Sequence, residues 1–220
     1  DGKRVVGGLK GEIEKATLLA DRKTKLTVKR KGIDVEIDLP PRAPDMADSV
    51  ILVECKATPQ GDPVFLVQKN MPNRLSVFFA DLLGTQKKDG WRLNKGTATT
   101  ANVTGWRQRE CGVHWSTRVN QKTCFDVVVR YDAPGADGKK KVETMGGTIS
   151  KKSEDTFGGT FVVEIGNQKL KGEVIQQGEG VELNLGQVTL ERGPVQIQVM
   201  TDTITGKELM RLQSVTLIPR

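Results

Sequence analysis

Histidine occurs once in the 220 residues, as His114. A Ser-His-Asp or Cys-His site would have to use that one imidazole, and a zinc site with several histidines cannot be built. The three cysteines, Cys55, Cys111 and Cys124, are an odd number without CxxC spacing, so neither a closed zinc site nor a disulfide framework is expected. No apolar stretch approaches the ~18 residues of a membrane-spanning helix, and no signal peptide opens the sequence. The first residue is Asp1 and not a methionine, which reads as a processed or cut-down chain. No GxxxxGK[ST] cradle occurs. Gly146-Gly147, Gly158-Gly159 and Gly178-Glu179-Gly180 read as hairpin turns, where glycine supplies positive φ.

The 34 Lys+Arg residues outnumber 27 Asp+Glu, giving a net charge of +7, which permits a polyanionic partner. The basic residues are dispersed, however. Lys139 to Lys141 and Lys151-Lys152 sit near glycines in what read as turns, and Lys23 to Arg30 alternates with Leu26 and Val28 as a solvated strand face does. Neither nucleic acid nor membrane is expected as a partner.

Strand signals dominate. Period-two segments run at 26–30, 33–39, 125–131, 159–165, 181–185, 187–190, 195–200 and 212–218, most of them rich in β-branched or aromatic residues and closed by Gly, Asn, Asp or Pro. Residues 11–20 and 75–83 lack helix caps at both ends and are read as strands. The expected fold is all-β, with two antiparallel sandwiches. The first covers residues 1–57, a linker rich in proline and turn formers covers 58–74, and the second sandwich covers 75–220. At under 60 residues the first part is marginal alone and is expected to lean on other structure.

Few residues are candidates for chemistry. Asp34, Glu36 and Asp38 alternate opposite Ile33, Val35, Ile37 and Leu39, so they share a strand face and read as surface acids, as do Glu154 and Asp155. His114 alternates with Val113 and Trp115, which puts it outside if they are inside. Cys111 and Cys124 flank a hairpin near 120–122 and are not opposite each other, so thiols are expected. Trp91, Trp106 and Trp115 are the only tryptophans. An indole can stack on the CH-rich face of a sugar or fill the space between sheets. Trp115 is in core register, whereas Trp91 follows Asp89-Gly90 and Trp106 follows Thr104-Gly105, leaving both readings open for these two. Arg107, beside Trp106, can supply hydrogen bonds. Trp91, Trp106 and Arg107 are the candidate carbohydrate-binding residues.

The segments Ala16 to Asp21 (ATLLAD), Leu39-Pro40-Pro41, Ala43-Pro44-Asp45 and Ser49 to Glu54 (SVILVE) resemble the C-terminal β-sandwich of bacterial α-L-fucosidases. The rest, with Asn73-Arg74-Leu75, Val103 to Trp106, Val113-His114-Trp115, Phe125-Asp126-Val127, Tyr131 to Pro134 and Gly206 to Pro219, resembles a galactose-binding-like module of jelly-roll type appended to some of these enzymes. Cys124 and Phe125 stand where that pattern has glycine and tyrosine. The resemblance implies a parent glycoside hydrolase, secreted or periplasmic, that releases L-fucose with retention from carboxylates on a barrel outside this sequence, so no catalytic residue is carried over. It implies a non-catalytic role here, in binding a fucosylated glycan or supporting the barrel; a purely structural or subunit-interface module is the alternative. No cofactor is implied beyond a possible structural Ca²⁺.

Overall fold

A computed structural model describes residues 2–45, 48–84, 90–94, 96–134, 139–144, 147–152, 156–175 and 178–220. These residues form strands, turns and one 3-10 turn at Val77–Phe79, and no α-helix. The chain divides into two units, Asp1–Leu66 and Val67–Arg220.

The first unit packs two three-stranded antiparallel sheets. One sheet has Asp34–Asp38 between Lys3–Val6 and Val28–Lys31; the other has Ile13–Leu18 between Asp21–Lys25 and Ile51–Cys55. Alternation along Asp34–Asp38 dictates the packing. Val35 and Ile37 are fully buried and join Ala16 of the other sheet in a core covered by Ile13, Val28 and Val53. The intervening acids face outward, with Glu36 on Lys3 at 2.9 Å and Asp38 on Lys29 at 3.0 Å.

The boundary between the units falls inside the expected linker 58–74, whose two flanks are paired into the units on either side. Gln60–Gly61 pairs with Leu9–Lys10, and the Asp62 N–H donates to Gly8 O at 2.8 Å, within the first unit. Asn73–Ser76 pairs with Ser214–Leu217 in the second. Strand pairing satisfies their backbone polar groups, and local composition cannot reveal a partner this far along the chain. The boundary falls at Leu66/Val67.

The second unit is a two-sheet jelly roll. Its first sheet orders Asn73–Ser76, Arg211–Pro219, Thr123–Ala133 and Gly178–Leu190; its second orders Asp81–Leu83, Gly112–Val119, Gly193–Ile204, Gly159–Ile165 and Gln168–Glu173. From Gly112 onward the chain alternates between the two sheets, apart from the hairpin joining Gly159–Ile165 to Gln168–Glu173 and a separate two-stranded hairpin of Lys139–Thr144 with Gly147–Lys152, and this gives the jelly-roll pattern. Alternate residues point between the sheets: Val113, Trp115, Thr117 and Val119 from one strand, Phe125, Val127, Val129 and Tyr131 from another. Full burial of each such apolar side chain contributes about 2 kcal/mol.

Three local expectations change. Residues 181–185 and 187–190 form one strand, Gly178–Leu190, in which a register shift opposite Val127/Val128 leaves Leu185 without a pairing partner and Gly186 takes φ 111°; a bulge of this kind breaks the period-two signal without breaking the strand. Within 75–83 the chain turns at Val77–Phe79, where the Ser76 hydroxyl accepts from the Phe78 N–H at 3.2 Å. Lys139–Thr144 and Gly147–Lys152 pair as a hairpin, so those lysines belong to strands and not turns.

Candidate functional site

Gly105 and Gly90 organise the loops in which the candidate residues lie. Both take positive φ, 75° and 79°, and each turns the chain so that the next residue points inward. Trp91 and Trp106 consequently meet inside the second unit, with ring centroids 5.1 Å apart and planes tilted by 50°. They are 1% and 0% exposed. The Trp91 indole N–H donates to Leu83 O at 3.0 Å, and that of Trp106 to Cys111 O at 3.2 Å. The structure therefore brings the two candidate tryptophans together as interior side chains whose faces are covered by protein. The stacking expectation is corrected: glycine before each tryptophan marks a turn into the core and not an exposed loop tip.

Arg107, the third candidate, emerges at the surface and donates from Nη2 to Glu208 Oε1 at 2.9 Å. Glu208 is only 7% exposed, and its other oxygen accepts from the Gly105 N–H at 3.1 Å. The Leu209 N–H donates to Trp106 O at 2.8 Å. One buried carboxylate thus ties the Gly105–Arg107 loop to the turn before Leu209. The arrangement positions loops, and it offers a substrate only the half-exposed guanidinium. Glu208 had no local signal, because its partners lie 101 and 103 residues away.

The solvent face of the second sheet carries the polar groups. His114 points outward between buried Val113 and Trp115, as the alternation requires. It stands opposite Asp81 on one side and Gln198 on the other. Its Nδ1 lies 3.8 Å from Asp81 Oδ2, its Nε2 contacts Gln196 Oε1, and the Ser116 hydroxyl donates to the same amide oxygen at 3.4 Å. Farther along, Glu164 takes a hydrogen bond from Gln198 and an ion pair from Lys169 at 2.6 Å. The Lys169 ammonium, chiefly, and then Gln198 hold the Glu164 carboxyl below the usual glutamate range, against a smaller desolvation effect.

Just before Asp81 lie Phe78 and Phe79, edge to face at 5.0 Å. Phe79 is 67% exposed. Sequence reasoning read this stretch as continuous strand and passed over it; two adjacent phenylalanines before an exposed aspartate were the available signal.

No disulfide forms, and Cys111 is buried. Asp34 accepts from the Gly8 N–H, and Glu36 and Asp38 pair with Lys3 and Lys29; Glu154 and Asp155 lie outside the described residues. No group of three or more His, Cys, Asp or Glu among the described residues can hold a metal ion. Several carboxylates there are already engaged by donors: Asp126 by Arg220, Asp132 by Gly180 N–H and Gln213, Asp202 by Lys171 and Thr160.

No protein-family model and no curated protein matches the sequence. Among solved structures, an α-L-fucosidase from Vibrio sp. strain EJY3 covers 100% of this chain and 36% of its own length, with a TM-score of 0.51 and 14% identity. The mosquito-larvicidal Cry4Aa toxin from Bacillus thuringiensis covers 94% of this chain and 30% of its own, with a TM-score of 0.52 and 10% identity. A family 35 carbohydrate binding module from Clostridium thermocellum covers 66% of this chain and 98% of its own, with a TM-score of 0.44 and 9% identity. The likeness to the first two is one of fold, and this chain spans about a third of their length.

Proposed function

We propose that this chain is a non-catalytic C-terminal region of a secreted or periplasmic α-L-fucosidase-like glycoside hydrolase, serving carbohydrate binding or support of a catalytic barrel elsewhere in the parent protein. One observation carries the reading: a single α-L-fucosidase covers both units across the whole chain. The ATLLAD, LPP and APD segments of the first unit and the jelly-roll order of the second support it. Chemistry agrees, since the lone imidazole contacts Gln196 and Asp81, and the most buried carboxylate among the described residues is neutralised by Arg107. The partners under this reading are a fucosylated glycan and the barrel. Tethering raises the local concentration of a bound glycan to about the millimolar range, so a weak site suffices.

A second reading, a purely structural or subunit-interface module, is favoured by the burial of both loop tryptophans. Isothermal titration with fucosylated oligosaccharides at millimolar concentration separates the two. Heat of binding is expected under the first reading, and no heat leaves only the second. Release of a chromophore from an aryl α-L-fucoside by the purified chain would overturn both.

A further inference from the structure

We propose that a glycan-binding site lies on the solvent face of the second sheet, formed by Phe79, Asp81, His114, Ser116 and Gln196, and that it takes a neutral oligosaccharide. This rests on the carbohydrate-binding reading and moves its location away from the loop tryptophans.

An exposed phenylalanine needs no explanation by itself. Phe79 differs in its setting. The Ser76 hydroxyl fixes the turn, the Ala80 N–H closes it on Val77 O at 3.1 Å, and Phe78 stands edge-on to the ring at 81°. The ring is therefore pre-organised, with two-thirds of its surface in water, and pre-organisation lowers the entropy cost of binding. Two residues on, Asp81 begins the strand that pairs with His114.

The polar groups on the strands that follow the turn suit hydroxyls. Gln196 brings an amide, Ser116 a hydroxyl, His114 an imidazole and Asp81 a carboxylate; His114 and Ser116 meet at the Gln196 amide oxygen, and Asp81 stands at the other side of the imidazole. Each is both anchored by a neighbour and open to solvent, which is how donors and acceptors for a diol are held in place. The row Asp81, His114, Gln198 crosses three strands, about 10 Å, enough for two sugar rings. The strongly exposed charge in this group is the Asp81 carboxylate, whereas the nearby Lys169 ammonium is engaged by Glu164. A field of that sign accepts hydroxyl donors and disfavours uronates or sulfates.

His114 is the only histidine, so its imidazole resonances form a single reporter set. The test is a titration of the intact chain with 2′-fucosyllactose, followed by heat and by the His114 imidazole signals. Binding heat with a saturable shift at His114 is expected. Phe79→Ala and Gln196→Ala, both at exposed positions, should each weaken affinity about tenfold while leaving the melting temperature unchanged. Heat without a shift at His114, or with unchanged affinity in both variants, overturns this site and leaves the carbohydrate-binding reading standing. Neither heat nor shift overturns both.

Discussion

Gly105 lies so close to Gly90 that a β-carbon on it would be 2.3 Å from the Gly90 carbonyl carbon and 2.6 Å from the Trp91 nitrogen. Gly90-Trp91 leads into Arg92–Asn94 and Gly105-Trp106 leaves Asn102–Thr104, the strand paired with it, so the two backbones are pressed together at that end of the pair and the two tryptophans meet in the interior.

Gly105→Ala is consequently expected to be among the most damaging single changes in the chain. It combines a backbone clash with a positive φ of 75°, and a loss of about 3 kcal/mol is expected from the two together. Urea unfolding followed by tryptophan emission would measure it, because Trp91 and Trp106 move from interior to water. A loss below about 0.5 kcal/mol, the usual range of surface substitutions, would contradict the packing described.

The Arg107–Glu208 pair gives a second expectation with an asymmetry. Arg107→Ala leaves a buried carboxylate with the Gly105 N–H but no cation, and should cost about 2 kcal/mol. Adding Glu208→Gln removes the stranded charge and should recover part of that loss. A double-mutant cycle is the measurement, and strict additivity would mean that the pair does not couple.

Acid sensitivity should be traceable to Glu164. Its folded carboxyl titrates below the ordinary value of 4.5 because Lys169, and then Gln198, hydrogen-bond the charged form. The unfolded chain therefore takes up the proton first as pH falls. The stabilisation is complete above pH 4.5 and is lost as pH drops through the lowered folded value. Glu164→Gln should flatten this acid limb in a series of urea midpoints against pH; an unchanged slope would remove Glu164 as a source. Asp202, lowered first by Lys171 and then by Thr160, acts in the same direction and should leave a residual slope.

Much of the architecture was legible because half-buried antiparallel strands alternate. Gly159–Ile165 was read with the boundaries it has, and Thr123–Ala133 only gained residues at its ends. Alternation also placed His114 outside and Val35 and Ile37 inside. What escaped was set by distant partners. Gln60–Gly61 is a strand only because Leu9–Lys10 lies beside it, and Asn73–Ser76 only because the chain returns at Ser214–Leu217. The burial of the two loop tryptophans was not legible either: a glycine-tryptophan step looks alike whether the loop ends in solvent or against another backbone, and Gly105 meets Gly90 across a short strand pair, while Glu208 is held by two residues a hundred positions earlier. Phe79 was hidden by its neighbours, since an apolar run interrupted by a 3-10 turn keeps the composition of a strand.

Arg211–Pro219 lies between Asn73–Ser76 and Thr123–Ala133, so the closing segment of the second unit is an inner member of its sheet. During synthesis Asn73–Ser76 and Thr123–Ala133 wait with open edges until Arg211–Pro219 has emerged from the ribosome. A nascent chain stalled before that point exposes two pairing surfaces at once, and unpaired edges of this kind are what chaperones shield.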